Sequence, residues 1–192
     1  MILFINTCVR PESRTCYLAR KVLEHIKVSA EKDEAVIEIR PQNKPLDNET
    51  LLLRTRLSEK EQWENPIFTD AKQFASADQI VIAAPYWDLS FPAQLKNYIE
   101  AINVIGLTFA YTDEGFPVGL CKAKRLIYIT TAGGYIVDDA YGYGYIKELA
   151  KSFYGIPDVR YIKAEGLDII GADVEKILKT AVDGIDEIYG IE

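Results

Sequence analysis

Short apolar runs alternate with longer amphipathic stretches along most of the chain. The apolar runs consist mainly of strand-forming residues and cover residues 2–6, 35–39, 79–85, 125–131 and 160–167. Alternation of this kind predicts βαβ units, in which helices join parallel strands. The first, third and fourth runs are almost continuously apolar, which is typical of strands covered on both faces. The pattern therefore predicts a five-stranded parallel sheet.

Apolar residues at helical spacing lie between these runs. They form four faces: Leu18, Val22, Leu23 and Ile26; Leu95, Tyr98, Ile99 and Ile102; Ile146, Leu149, Ala150 and Phe153; and Val174, Ile177, Leu178, Ala181, Ile185 and Ile188. Residues 47–76 predict two further helical pieces, divided near Asn65–Pro66, because proline disfavours helical backbone in the residue before it. Neither a repeat nor a linker interrupts the chain, so residues 1–192 are predicted to form a single domain.

These elements predict an α/β fold, a three-layer αβα sandwich. The strand order 2-1-3-4-5 is one of two arrangements that are common in doubly wound sheets, and right-handed crossovers narrow the choice without deciding it. In such sheets a ligand lies beyond the carboxyl ends of the strands, where the strand order reverses. The loops after the first, third and fourth strands are therefore the candidate site.

The loop after the first strand combines hydroxyl and guanidinium groups ahead of a helix. It reads NTCVRPESRT and contributes the hydroxyl groups of Thr7, Ser13 and Thr15 and the guanidinium groups of Arg10 and Arg14. Unpaired N–H groups at a helix start, together with such donors, suit a phosphate. An alternative is that Ser13 only caps the helix. The loop matches neither the dinucleotide fingerprint nor the P-loop pattern.

The other two loops offer flat side chains and glycines. PYWDLSFP, after the third strand, places Tyr86 and Trp87 where they either stack on a planar ring or pack at the rim of the sheet. TTAGGYI, after the fourth strand, contains Gly133 and Gly134, which either allow close approach of the backbone to a ligand or form a plain turn. Taken together at one sheet edge, the three loops describe a site for a phosphorylated flat ring.

The composition argues against several other classes of function. A formal net charge of −7 argues against nucleic acid as a partner, because non-specific affinity for it comes from Lys and Arg. No apolar run approaches the roughly 20 residues needed to cross a bilayer, and the N-terminus lacks the features of a signal peptide, so a cytoplasmic protein without a membrane partner is expected. Cys8, Cys16 and Cys121 form no CxxC pair, so neither a disulfide framework nor a metal site is predicted.

One long segment resembles a known family. AAPYWDLSFPAQLKNYIEAINVIGLTFAYTDEGFPVGL, residues 83–120, is similar to the FMN-dependent NADH azoreductases and NAD(P)H quinone reductases of the flavodoxin-like superfamily. That family typically reads AAPMYNFNIPTQLKNYFD, followed by G-x-TF-x-YT-x-x-G. The similarity continues through ITTAGGYI and YIKAEGLD. The resemblance implies a flavodoxin-like fold, FMN as the cofactor and NADH or NADPH as the electron donor.

The resemblance also implies which residues hold FMN. The phosphate is expected against Thr7, Ser13, Arg14 and Thr15. The ring is expected between one wall formed by Pro85, Tyr86, Trp87, Asp88 and Leu89 and another formed by Thr131, Ala132, Gly133 and Gly134. Members of the family are generally homodimers with the active site at the subunit interface, and Phe109 and Tyr111 are expected to approach that site. Because the flavin carries the chemistry, no catalytic side chain is predicted.

Two departures from the family pattern change the predicted site. The family's Tyr-Asn-Phe is Trp87-Asp88-Leu89 here, so a carboxylate that only accepts hydrogen bonds replaces an amide. An ionised Asp88 beside the ring is expected to lower the reduction potential of the flavin. The family's Arg-Gly-Gly-Ile-His is Ala132-Gly-Gly-Tyr-Ile here, so a cation near the ring and an imidazole near the substrate are missing.

The predicted reaction transfers two electrons in two half-steps through one pocket. NAD(P)H delivers a hydride to the flavin and leaves, and a quinone or an azo compound then takes two electrons in its place. The alternative is a flavodoxin-type electron carrier or a flavin-binding regulatory protein that does not use NAD(P)H directly. The segment TFAYTDEG favours the enzyme, because it thickens the rim as a substrate pocket would.

A tyrosine-rich segment, GGYIVDDAYGYGYIKE, follows the fourth strand. One interpretation is a mobile lid, in which Tyr135, Tyr141 and Tyr143 face the nicotinamide or the substrate. The other is that a helix begins at Tyr145 and the remaining tyrosines pack on the surface. The sequence supports both.

Overall fold

The computed structural model describes residues 1–29, 34–42 and 44–189. Its strands are β1 (Ile2–Asn6), β2 (Val36–Ile39), β3 (Gln79–Ala83), β4 (Phe109–Tyr111), β5 (Pro117–Gly119), β6 (Arg125–Thr131) and β7 (Asp158–Ala164). Five of them form a parallel sheet in the order β2-β1-β3-β6-β7, and β4 and β5 form a separate antiparallel hairpin. Counted along the main sheet alone, this order confirms the predicted arrangement 2-1-3-4-5.

The helices are α1 (Arg14–Ser29), α2 (Asn48–Glu59), α3 (Thr69–Ser76), α4 (Ala93–Ile102), α5 (Tyr145–Glu148), α6 (Val174–Asp183) and α7 (Ile185–Tyr189). The predicted division near Asn65–Pro66 is confirmed, because the Asn65 side chain accepts a hydrogen bond from the Ile67 N–H and starts a short 3₁₀ turn ahead of α3. The continuous helix predicted over Val174–Ile188 is wrong in one respect. Gly184 ends α6, and α7 begins at the next residue.

Two apolar layers cover the faces of the sheet, and β1 shows how the sequence divides between them. Leu3 and Ile5 are buried in the layer that contains the apolar faces of α3 and α4. Ile2 and Phe4 are buried in the other layer, against α1. Successive side chains of a strand point to opposite faces, so one apolar run supplies both layers. The three-layer sandwich is thereby confirmed.

The hairpin of β4 and β5 lies at the amino ends of the sheet strands. The chain around it is tied there by the Lys122 N–H, which donates to the Ala75 carbonyl at 2.8 Å, and by the Lys124 N–H, which donates to the Asp78 carbonyl at 3.2 Å. A Cβ at Gly119 would overlap the backbone of Tyr154, so only glycine allows the hairpin to lie this close to the residues after α5. The sequence did not predict these two strands.

Candidate functional site

A cavity of about 390 Å³ opens at the carboxyl ends of β1, β3 and β6. Most of the predicted cofactor residues line it: Ser13, Arg14, Thr15, Pro85, Tyr86, Trp87, Thr131, Ala132 and Gly133. The cavity lies where the strand order reverses between β1 and β3, which is the position at which doubly wound sheets bind ligands. The three loops singled out in the sequence therefore meet at one place.

The loop after β1 brings the start of α1 to the cavity. Ser13 Oγ accepts a hydrogen bond from the Cys16 N–H at 3.2 Å, so Ser13 caps the helix and also lines the cavity. The first N–H groups of a helix have no partner within the helix, and here they lie in the segment that faces the cavity. Arg10 and Arg14 add two guanidinium groups to the same wall.

Hydrogen bonds fix the three loops to one another. The hydroxyl groups of Thr15 and Thr131 lie 2.6 Å apart and join the first loop to the third. The Tyr86 N–H donates to the Thr131 carbonyl at 3.0 Å and joins the second loop to the third. The Thr130 hydroxyl donates to the Ala84 carbonyl at 2.7 Å just below them. The walls of the cavity are thus held by contacts within the protein.

Thr7 is not brought to the cavity. Its side chain is only 3% exposed, and its hydroxyl donates to the Ala83 carbonyl at 2.9 Å. The prediction that Thr7 contacts a phosphate disagrees with this position, because the hydroxyl instead satisfies the carbonyl group at the end of β3.

Asp88 and Leu89 form the tip of a tight turn beyond the cavity wall. Trp87 and Ser90 exchange two backbone hydrogen bonds, of 3.1 and 2.8 Å, across this turn. Asp88 has φ of 51° and Leu89 has φ of 66°, the left-handed backbone at both central positions that defines a type I′ turn. The predicted aromatic wall is therefore formed by Tyr86 and Trp87, and Asp88 and Leu89 lie outside the residues that line the cavity.

A fourth loop, which follows β7, completes the cavity. The Asp168 N–H donates to the Gly133 carbonyl at 2.9 Å, and the Leu167 N–H donates to the Ala132 carbonyl at 3.2 Å. A Cβ at Gly133 would overlap the Asp168 carboxylate, whereas a Cβ at Gly134 would meet nothing within 4 Å. Gly133 therefore allows close approach to the loop after β7, whereas the prediction was close approach to a ligand, and Gly134 lies outside the cavity-lining residues.

Several residues that line the cavity were not predicted from the sequence. They are Val9, Glu12, Leu167 and Asp168. Arg14 Nη1 lies 2.7 Å from Asp168 Oδ1, so one of the two guanidinium groups at the cavity is already paired with a carboxylate. The contact joins residues 154 positions apart, and no local pattern in the sequence signals it.

Phe109 and Tyr111 do not reach the cavity of their own chain. Phe109 is 6% exposed and packs against Phe153, with ring centroids 4.7 Å apart, and against Tyr111 at 5.5 Å. Both residues belong to the hairpin at the amino ends of the strands, whereas the cavity opens at the carboxyl ends. Within one chain the two residues lie away from the cavity, and their predicted approach to a site at the subunit interface stays a prediction.

Each of the two interpretations of the tyrosine-rich segment fits some of its residues. A π-helical turn over Ala140–Gly144 precedes α5, which begins at Tyr145 as the second interpretation predicts. Tyr143 stacks on Tyr161 with ring centroids 4.2 Å apart and planes 4° from parallel, so it is packed and does not face the cavity. Tyr135 and Tyr141 are exposed. The Tyr141 carbonyl accepts a hydrogen bond from Ser90 Oγ at 2.6 Å, which connects this segment to the turn at Asp88.

Two of the three cysteines carry shielded thiol groups. Burial raises the pKa of the Cys8 thiol to about 11 and that of Cys121 to about 12, so both stay protonated near neutral pH. Among residues 1–29, 34–42 and 44–189, no group of three or more His, Cys, Asp or Glu side chains is arranged to hold a metal ion. Within the same ranges, no helix is both long enough and apolar enough to span a membrane.

The fold and the cavity define a doubly wound α/β protein with a ligand-binding site at the switch point of its sheet. A family model described as "Flavodoxin-like fold" matches residues 1–188, and the chain belongs to this family. Among its relatives, the chain is 35% identical to FMN-dependent NADH:quinone oxidoreductase 2 of Clostridium acetobutylicum, over 97% of this chain and 96% of that protein. It is 36% identical to the FMN-dependent NADH:quinone oxidoreductase of Clostridium beijerinckii, with the same coverage.

Solved structures share the fold over nearly the whole chain. An azoreductase from Bacillus anthracis str. Sterne superposes with a TM-score of 0.82 at 23% identity, covering 97% of each chain. An FMN-dependent NADH-azoreductase from Bacillus anthracis str. Ames Ancestor, in complex with FMN, gives a TM-score of 0.79 at 25% identity, covering 97% of this chain and 95% of that one.

Proposed function

We propose that this chain is an FMN-dependent NADH:quinone oxidoreductase that also reduces azo compounds. The observation that carries the proposal is the single cavity that joins the start of α1 to the aromatic loop and the glycine loop. Support comes from the relatives named for this activity, which match the chain over almost its full length. The azoreductase structure in complex with FMN supports the same cofactor.

The donors at the start of α1 fit the phosphate of FMN. The positive end of the helix dipole and the unpaired N–H groups of the first turn favour an anion. Ser13 and Thr15 place hydroxyl groups beside those N–H groups, and Arg14 adds a guanidinium group that can pair with phosphate oxygens. All of these groups line one wall of the cavity.

The remaining walls fit the flat ring of FMN. Tyr86 and Trp87 offer aromatic faces on one side, and Trp87 is 37% exposed, so part of its ring is accessible to a ligand. Thr131, Ala132 and Gly133 form the opposite side of the cavity. The hydrogen bond between Thr15 and Thr131 fixes the start of α1, proposed for the phosphate, relative to the loop after β6, proposed for the ring.

In the proposed reaction, the protein binds and orients FMN, NADH and the electron acceptor. When bound, FMN accepts a hydride from NADH and returns two electrons to a quinone or an azo compound. Tyr86 and Trp87 would shield one side of the ring from water, and Thr131, Ala132 and Gly133 would enclose the other. No side-chain nucleophile is required, which agrees with the raised pKa values of Cys8 and Cys121.

The proposal includes a single-domain, cytoplasmic protein that works as a homodimer. The family match over residues 1–188 supports a single domain. Five exposed apolar side chains lie on and beside the hairpin and support a dimer, because exposed apolar surface of this kind commonly marks a protein interface. They are Ile105, Tyr111, Phe116, Val118 and Leu120.

The visible spectrum of the purified protein, followed by anaerobic titration with NADH, tests the proposal. The enzyme is expected to bind FMN and to lose the flavin absorbance near ~450 nm rapidly on addition of NADH. Arg14→Gln is expected to weaken FMN binding, and the matched variant Arg56→Gln, which changes an exposed arginine on α2, is expected to leave it unchanged. Bound FMN that NADH does not reduce would favour an electron carrier, and a protein that does not bind FMN would refute the proposal.

A further inference from the structure

Asp168 places a carboxylate against the guanidinium group that the proposed phosphate site uses. Asp168 Oδ1 lies 2.7 Å from Arg14 Nη1, and both residues line the cavity. Glu12 adds a second carboxylate to the same lining. Two guanidinium groups, those of Arg10 and Arg14, therefore share the cavity with two carboxylates. Each of these carboxylates repels a dianion that binds at the same wall.

The position of Asp168 is fixed by several contacts. Its N–H donates to the Gly133 carbonyl at 2.9 Å, and the preceding Leu167 N–H donates to the Ala132 carbonyl at 3.2 Å. Arg14 Nη1 also lies 3.4 Å from the Leu167 carbonyl oxygen. The absence of a side chain at Gly133 leaves the space that the Asp168 carboxylate fills. The ion pair is thus part of the cavity wall, although the Asp168 side chain itself is 69% exposed.

We infer that Asp168 is a specificity residue of the cofactor site, which competes with a bound phosphate for Arg14 and so weakens the binding of ligands that carry a phosphate. The inference rests on the proposed function. A phosphate that approaches Arg14 meets the Asp168 carboxylate as a like charge, whereas an uncharged ligand does not. Two unit charges about 4 Å apart in water change an equilibrium constant by about fivefold. Asp168 therefore keeps FMN exchangeable and reduces its advantage over riboflavin, which lacks the phosphate.

Flavin fluorescence titrations of three proteins test this inference: the wild type, Asp168→Asn and Asp183→Asn. FMN and riboflavin are the two probes. Asp168→Asn is expected to lower the Kd for FMN by about fivefold and to leave the Kd for riboflavin unchanged. Asp183→Asn removes the same charge from an exposed pair with Lys179 on α6, outside the cavity, and is expected to change neither constant. At 1 M salt the gain of Asp168→Asn for FMN is expected to shrink, because a partly exposed charge is screened.

Three results would overturn the inference. Unchanged FMN affinity in Asp168→Asn would show that the carboxylate does not oppose the phosphate. Weaker FMN binding would show that Asp168 instead orients Arg14 for the phosphate. Equal tightening of FMN and riboflavin would show an effect unrelated to charge. In these cases the wild type still binds FMN and oxidises NADH, so the proposed function stands; a wild type that binds neither flavin would refute both.

Discussion

At the scale of single residues, the turn at Asp88 and Leu89 is the least expected feature of the site. Both residues adopt left-handed backbone, which costs roughly 1–2 kcal/mol for a residue with a side chain. Hairpin turns of this type usually carry Asn-Gly or Asp-Gly, and Asp-Leu matches only the first position. The sequence therefore indicated a chemically unusual loop without predicting its shape. The strain is held at the edge of the proposed cofactor site.

Leu89→Gly is expected to stabilise the protein. Glycine adopts the left-handed backbone without steric cost, so the free energy of unfolding should rise by about 1 kcal/mol after allowance for the more flexible unfolded chain. Urea denaturation followed by circular dichroism measures the change. Leu52→Gly, at an exposed helical position in α2, is the control and should lower the free energy of unfolding by about 1 kcal/mol. A loss of stability in Leu89→Gly would contradict the interpretation of the turn.

Asp88→Asn is expected to raise the midpoint potential of bound FMN. Removal of a negative charge next to the aromatic wall favours the reduced, more negative flavin, by about 10–30 mV for a two-electron couple. Asparagine tolerates the same left-handed backbone, so the turn should be preserved. The measurement is an anaerobic redox titration with Asp183→Asn, which removes the same charge from an exposed position on α6 outside the cavity, as the control. An unchanged potential in Asp88→Asn would show that this charge does not act on the ring.

The sequence predicted those site residues whose signal is local. Ser13, Arg14 and Thr15 stand together before a helix, and Tyr86 and Trp87 directly follow a buried strand, so neighbouring residues were enough to find them. Thr7 was misplaced because a hydroxyl group in a loop does not reveal whether it will satisfy a backbone carbonyl. Asp168 was missed because its partner Arg14 becomes a neighbour only when the loop after β7 folds against the glycine loop.

At the scale of secondary structure, Tyr141 and Tyr143 lie in the same short segment before α5 but have different environments, and the sequence did not predict this difference. Tyr143 stacks on Tyr161, and its hydroxyl donates to the Val159 carbonyl at 3.3 Å. Tyr141 is 62% exposed and is linked through its backbone carbonyl to Ser90. Tyr143 therefore anchors the segment to β7, and Tyr141 lies beside the turn at the edge of the site.

Alanine substitutions at Tyr143 and Tyr141 are expected to have different effects, the first on stability and the second on the KM for a quinone. Tyr143→Ala should lower the free energy of unfolding by about 2 kcal/mol, less than for a fully buried ring, because Tyr143 is half-buried. Tyr141→Ala should change stability by less than about 0.5 kcal/mol and should raise the KM for a quinone if the exposed ring covers the bound acceptor. Urea denaturation and steady-state kinetics measure the two effects. A destabilised Tyr141→Ala with unchanged KM would contradict this division of roles.

The elements that the sequence predicted are those with a long periodic signal. Each strand of the main sheet overlaps a predicted apolar run, and β1 and β6 match theirs end to end. The strands β4 and β5 have three residues each, too few for an alternating pattern to stand out from a loop. The helical face over residues 174–188 continues through Gly184, so periodicity alone did not show the break between α6 and α7.

At the scale of the whole molecule, the hairpin and the cavity lie at opposite ends of the sheet. A single chain therefore cannot bring Tyr111 to its own cavity, although a second subunit can place its hairpin there. Phe116, at 69% exposure, and Val118 present apolar surface on this hairpin. In the proposed homodimer, we expect the hairpin to lie at the subunit interface, where Tyr111 would contact the cavity of the partner subunit.

Phe116→Glu is expected to separate the dimer without unfolding the chain. The side chain is exposed in one subunit, so a charge there costs the isolated fold little, whereas a charge buried in an apolar interface is strongly unfavourable. Sedimentation velocity should show a monomer, and Val28→Glu, at an exposed position near the end of α1, should remain a dimer. The monomer should keep FMN, because the cavity proposed for the cofactor is lined by residues of one chain, and should lose quinone turnover if the partner's hairpin completes the acceptor site. A monomeric variant with full turnover would show that one chain is sufficient for catalysis, and a dimer that persists in Phe116→Glu would place the interface elsewhere.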